Sequence, residues 1–217
     1  MNVISAPNRR ERNWQRMHDL LYTTAIHLFV TQGYETTTMD QIAERADVAR
    51  ATVFNHFVQK VGFLEEWGAR RRVRVAEILG REHAEDMPVD ERLRRYFHEM
   101  AELNTCSREE SMVLMEASAR FGRLWQDPSL EKDLANIIEV GVRRGEIRAD
   151  LDHLPTAALL AAAYFSVVLR WTTTDPPHFD LARRLDRVLE LILTGILDTR
   201  PTRVRCADKG GSGTFFR

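Results

Sequence analysis

The chain has 217 residues, 44% of them hydrophobic and 29% charged, enough to bury a full core as one large domain or as a small domain joined to a larger one. Its formal net charge is -1, so no global basic field draws it onto nucleic acid or an anionic membrane, and any nucleic-acid contact has to rest on locally placed cations. Two cysteines, Cys106 and Cys206, match no metal or redox spacing; they fit a reducing cytoplasmic compartment, with Cys106 read as a buried, inert thiol.

Glycine and proline are sparse, 11 and 7, and apolar residues recur every three or four positions, which predicts an all-α chain. The N-terminal stretch is polar and lacks the apolar core of a signal peptide. Arg9, Arg10, Arg12 and Arg16 read either as an arm for the minor groove or phosphates, or as a solvated, disordered tail. Trp14, Met17, Leu20, Leu21, Ala25, Leu28 and Phe29 then form one helical stripe, stopped by Gly33. Thr38 caps a second, short helix, and Gln41 completes a capping box.

Asp47 and Val48 break that helix, and a third short one follows at about residues 50–56. A longer helix starts near Lys60 and carries Arg70, Arg71, Arg72 and Arg74, which circle it and read as a solvated face with acidic partners. Further helices are predicted over 90–104, 109–125, 129–144, 156–171 and 180–197, separated by Pro88, Pro128, Gly145, Pro176 and Pro177. The longest apolar run, 157–169, is too short to cross a bilayer, so no membrane partner is expected. The Gly-rich segment 199–217 reads as a disordered tail.

Segment 37–57 is the specific one. Two short helices joined by a tight turn have one main use, in which the first braces on the DNA backbone and the second enters the major groove. Ile42, Ala43, Ala46, Val48, Val53 and Phe57 are spaced to pin the pair together, leaving Arg50, Ala51, Thr52, Asn55 and His56 pointing outward. Arg50 can donate twice to guanine, Asn55 can pair with adenine, and the Thr52 methyl can touch thymine. His56, Lys60 and the Thr38 end of the second helix suit phosphate, with Asp40, Glu44 and Glu35 expected to turn away.

Over residues 21–64 the chain resembles the TetR family of bacterial repressors. Leu21, Ala25, Phe29 and Gly33 match the family's first helix; Thr37, Thr38, Ile42 and Ala43 match its second; Thr52, Val53, Phe54, His56, Phe57 and Lys60, with Leu64 behind, match its closing signature. Asp47 stands where Gly is frequent, Ala49 where a Ser cap is usual, Phe54 where Tyr is common, Asn55 where a second aromatic is common, and Val61 and Gly62 where Glu and a helix former are usual. The resemblance implies an N-terminal three-helix helix-turn-helix domain, here 1–62, and a larger helical ligand-binding and dimerisation domain, 63–198. It implies DNA contacts from Thr37, Thr38, Arg50, Ala51, Thr52, Phe54, Asn55, His56 and Lys60.

It also implies a homodimer on double-stranded operator DNA, released by an unknown small-molecule effector. Met100, Leu103, Asn104, Met112, Met115, Glu116, Phe121, Trp125 and Phe165 read either as ordinary core or as the wall of an effector cavity. Leu159, Ala162, Ala163, Leu185, Val188, Leu189, Ile192 and Ile196 lie on helices that pair between copies in the family. No metal-ligand spacing and no convergent acid, base and nucleophile is found, so neither a cofactor nor catalysis is expected. A family member that activates, or that needs no ligand, is the nearest alternative; an all-helical small-molecule-binding enzyme is more remote.

Overall fold

A computed structural model describes residues 8–122 and 129–194; Trp125, Ile196, Cys206 and the segment 199–217 lie outside them. Among the described residues the secondary structure is helical throughout. The head is built from α1 (Arg9–Gln32), α2 (Met39–Arg45) and α3 (Arg50–His56). The body follows as α4 (Val61–Arg81), α5 (Val89–Cys106), α6 (Arg108–Arg120), α7 (Ser129–Arg143), α8 (His153–Thr172) and α9 (Leu181–Thr194).

Local chemistry sets the ends of these helices. Asn8 caps α1 in a capping box with Glu11, so α1 starts well before the Trp14 stripe. Arg9, Arg10, Arg12 and Arg16 therefore stand on its first two turns rather than in a disordered tail. Gly33 ends it at φ 94°, a conformation that glycine tolerates without a Cβ clash. Thr38 and Gln41 form the reciprocal box on α2. Asp47 takes φ 55° in the turn before α3, which its short polar side chain tolerates better than most, and Ala49 supplies α3 with no side-chain cap. α6 stops at Arg120, short of the predicted 125, and Asp152 caps α8 ahead of the predicted start.

Leu21, Ala25, Phe29, Ile42, Val53, Phe57, Phe63 and Leu64 close the core of the head. In the body, α8 is the most apolar helix and packs on α6, α7 and α9, while α5 packs on α9, α7 and α4. On α4 the buried positions are Phe63, Leu64, Trp67, Arg71, Val75 and Leu79. Arg71 thus sits in the buried stripe, not on a solvated face. Its neighbours do find acids: Arg70 pairs with Asp19 at 2.6 Å and Glu66 at 2.7 Å, Arg72 approaches Asp133 at 3.5 Å, and Arg74 approaches Glu77 at 3.5 Å.

Two further expectations change. Cys106 is exposed rather than buried, because it falls on the last residue of α5. Leu185 and Leu189 are buried within their own subunit, because with Leu181 they form the stripe that α9 lays on α5 and α8.

Gly141 lets α7 pack closely on Val89: a Cβ there would stand 2.8 Å from Val89 Cγ2 and 3.0 Å from Val89 Cβ. Gly141→Ala is expected to destabilise by about 1–2 kcal/mol, overpacking outweighing the better helix propensity. Thermal unfolding of the purified chain checks this, with a lower midpoint the expected outcome.

Candidate nucleic-acid interface and internal cavity

On α3, Arg50, Ala51, Phe54 and Asn55 are exposed along one face, Thr52 is half-buried, and Val53 turns into the core. The exposed set can read base edges in a major groove. Arg50 does not stand alone: its Nε lies 2.9 Å from Asp40, so that carboxylate is not turned away, and its guanidinium lies over the Phe54 ring at 5.3 Å. His56 is half-buried rather than outward, against Trp14 at 4.8 Å and His18 at 5.7 Å. That packing brings the arginine-bearing start of α1 beside the end of α3.

The second-helix entry divides. Thr38 is exposed and accepts from the Gln41 backbone N–H at 3.2 Å. Thr37 is 1% exposed, and its hydroxyl donates to the Gly33 carbonyl at 2.7 Å, so it braces the turn and presents nothing to a duplex. Lys60 is likewise turned inward. Its Nζ donates to the carbonyls of Tyr34 at 2.7 Å, Thr37 at 2.8 Å and Glu35 at 3.2 Å, and lies 4.4 Å from the Tyr34 ring centre. Those carbonyls, left over where α1 ends, outbid a phosphate that would have to be reached from a partly desolvated position.

Behind α4 lies a cavity of about 60 Å³, lined from α4 by Leu64, Glu65, Trp67, Gly68, Arg71 and Arg72, and otherwise by Met100, Met115, Ser118, Gly122, Leu130, Tyr164 and Phe165. Three residues of the expected set, Met100, Met115 and Phe165, do line it. Asn104 is fully buried and donates to Tyr164 Oη at 2.9 Å, supporting the wall from behind. Leu103 and Met112 are half-buried and do not reach it. Glu116 and Phe121 are exposed, in an outer groove beside the α1–α2 turn. There Phe121 stacks on Tyr34 at 5.5 Å, and Arg120 pairs with Glu35 at 2.7 Å.

Trp67, Arg71 and Tyr164 were not anticipated in the wall. Arg71 was detectable, since it occupies the position between Leu64–Trp67 and Val75–Leu79 in a three-and-four repeat. On the outer face of α8, Leu159 and Ala162 are exposed and Ala163 half-buried; on α9, Val188 and Ile192 are half-buried and Leu191 is exposed.

Comparison with known proteins agrees with this geometry. Residues 21–67 match the family model described as bacterial regulatory proteins, tetR family. The HTH-type transcriptional repressor KstR of Rhodococcus jostii is 30% identical over 169 residues, covering 74% of this chain and 75% of that protein. TcmR, an HTH-type transcriptional regulator of Streptomyces glaucescens, is 45% identical over 56 residues, which is 26% of this chain and 25% of TcmR. Among solved structures, Thermus thermophilus FadR, a TetR-family transcriptional repressor in complex with lauroyl-CoA, superposes with a TM-score of 0.68 at 27% identity, covering 83% of this chain and 95% of that one.

Two outcomes follow from the head. Lys60→Met keeps the aliphatic stem and removes the donors to three carbonyls; it is expected to cost about 1–3 kcal/mol of stability, seen as a lower thermal midpoint. A variant that melts like the parent would return Lys60 to a phosphate role. Burial, and secondarily His18, hold His56 below its ordinary pKa of 6.5. The neutral ring is the form the fold favours, so its contribution is present above 6.5 and lost as pH falls through the lower folded value. Thermal midpoints should drop as the pH falls from 6.5 toward the lower folded value, and His56→Gln should flatten the drop.

Proposed function

Because this chain belongs to the TetR family of bacterial transcriptional regulators, we propose that it acts in the cytoplasm as a homodimeric repressor, released from its operator by a small apolar or aromatic effector. The head, residues 1–62, would dock through α3, with Arg50, Ala51, Thr52, Phe54 and Asn55 toward the major groove and the Thr38 end of α2 toward phosphate. His56 and Lys60 serve this docking by holding the head together. Arg9, Arg10, Arg12 and Arg16, all exposed near the Trp14–His56 contact, supply the local positive charge that the whole-chain charge lacks.

The observation that carries the gating part is the shared use of α4. The helix that gives the head Phe63 and Leu64 also gives the cavity six of its lining residues. A cavity of about 60 Å³ is smaller than an effector of the size of lauroyl-CoA, which the related FadR holds. Entry therefore has to part the walls. Met100 and Met115 are flexible enough to yield, and the remaining displacement falls on α4 and on α6, whose end meets the α1–α2 turn.

Two recognition helices have to stand about 34–36 Å apart to enter successive major grooves, and tilting α4 changes that separation. The dimer is assigned to the outer faces of α8 and α9, with Leu159, Ala162, Ala163, Val188 and Ile192 in the contact and Leu191 added; Leu185 and Leu189 support it from within. The body, 63–198, then serves both ligand and partner.

Fluorescence anisotropy with the duplex upstream of the chain's own gene tests the reading. The parent protein is expected to bind at low salt with strong salt dependence, and small aromatic compounds are the first effectors to titrate against the complex. Leu159→Glu, which places a charge at the two-fold contact, is expected to give monomers in sedimentation and to weaken operator binding by at least about tenfold. A monomeric parent that binds the duplex as tightly would overturn the dimer, and a parent indifferent to that duplex would overturn the regulator.

A further inference from the structure

We propose that the cavity behind α4 recognises its ligand through one hydrogen-bond-accepting oxygen, a carbonyl or a carboxylate on an otherwise apolar molecule, held by the Arg71 guanidinium. The inference rests on the ligand-gated reading and adds to it the chemical class of the ligand.

Arg71 is only 8% exposed. Its Nη2 is already well used, donating to Ser107 Oγ at 2.8 Å and to Ser111 Oγ and Glu110 Oε1 at 3.3 Å each. Its Nε and Nη1 are buried and meet no acceptor among the described residues. Buried donors without acceptors carry a free-energy penalty that a purely structural arginine would shed by repacking or by replacement with an apolar residue. The guanidinium lies over Trp67 at 4.3 Å, and both residues line the cavity.

Tyr164 adds a second donor to the same wall. Its oxygen accepts from Asn104 Nδ2 at 2.9 Å. Burial pushes the phenol up to about 12, so it keeps its proton. Apart from Glu65, Arg72 and Ser118, the remaining lining is apolar or glycine, so the wall that carries Arg71 and Tyr164 holds few acceptors of its own.

Charge limits how polar the ligand can be. Glu110 stands 3.3 Å from Arg71, and Asp133 stands 3.5 Å from Arg72, so the two cations are already largely balanced. The site asks for one accepting group, not for a polyanion such as a phosphate ester; Glu65, the one carboxylate of its lining, is exposed. Since Arg71 is on α4, the grip falls on the helix that leads to the head.

Calorimetric titration of the full chain with benzoate, acetophenone and ethylbenzene separates the classes, because the three share a ring and differ in the accepting oxygen. At least one of the two oxygen-bearing probes is expected to bind about tenfold or more tighter than ethylbenzene; which one leads tells carboxylate from carbonyl. Arg71→Met should erase that preference. Arg71→Met/Glu110→Gln, which also removes the stranded carboxylate, should do the same if the single variant fails to fold. The assignment is overturned if ethylbenzene binds the parent as well as the others, if no probe binds, or if the preference survives in the double variant. Operator binding by the same parent preparation is read in parallel: its loss sinks the regulator reading, whereas intact operator binding without an oxygen preference sinks only the role of Arg71.

Discussion

One helix has to satisfy two cores. The first turn of α4 buries Phe63 and Leu64 among the head residues, and its later turns bury Trp67, Arg71, Val75 and Leu79 against the body. An α-helix with intact i to i−4 bonds is stiff over such a length, so head and body cannot change their relation without tilting this rod. Other contacts between the two parts reinforce the rod, and α1 also packs directly on α6. Arg70 of α4 reaches back to Asp19 of α1 at 2.6 Å and covers the Tyr22 ring at 4.0 Å, while His18 of α1 sits 3.5 Å from Glu66 and stacks on Phe57 at 4.4 Å. A displacement of α4 is thereby passed to α1 and to the residue that ends α3.

The α1–α2 turn is a second point of control. Lys60, just ahead of α4, gathers the carbonyls of Tyr34, Glu35 and Thr37, and the end of α6 reaches the same turn through Phe121 on Tyr34 and Arg120 on Glu35. α4 and α6 both contribute to the cavity wall. The head is therefore held at two places by two elements that share one internal space. Under the proposed gating, a ligand larger than that space would act on both, and close packing would resist continuous deformation.

The head was legible from sequence because its determinants are local. Thr38 and Gln41, Gly33, and the spacing of Ile42, Val53 and Phe57 each specify structure within a few residues. What escaped was set by distance in the chain. Lys60 finds its acceptors 23 to 26 residues upstream, which no local pattern announces, so a surface-typical cation was read as a phosphate ligand. His56 was read as outward because nothing near it foretold Trp14. Asn8 and Glu11 make a capping box without a serine or threonine, so the arginines behind it read as an arm or a tail and not as the start of a helix. In the body, apolar periodicity located the helices, but it does not say which apolar stripe meets the subunit's own core. Leu185 and Leu189 pack inward, and the face left open on α8 runs through Leu159 and Ala162 instead. Glu116 was grouped with the cavity by proximity in sequence, yet it stands one residue past the buried Met115 and two past the buried Leu114, where the helix has turned it to another face.

Net charge near zero makes the placement of cations decisive for the proposed docking. Arg50, the best candidate for a base contact, is paired with Asp40 in the unbound head, with both side chains at least 60% exposed. An exposed pair of this kind is held by only about 0–1 kcal/mol, so a guanine edge offering two acceptors can compete for the guanidinium at small cost. On a duplex that lacks that base, Arg50 would stay with Asp40, and its charge would be withheld from the phosphates. An acidic residue beside the recognition helix thus lowers affinity for all DNA while lowering it least for the matching site, which is how a weakly charged head can still discriminate.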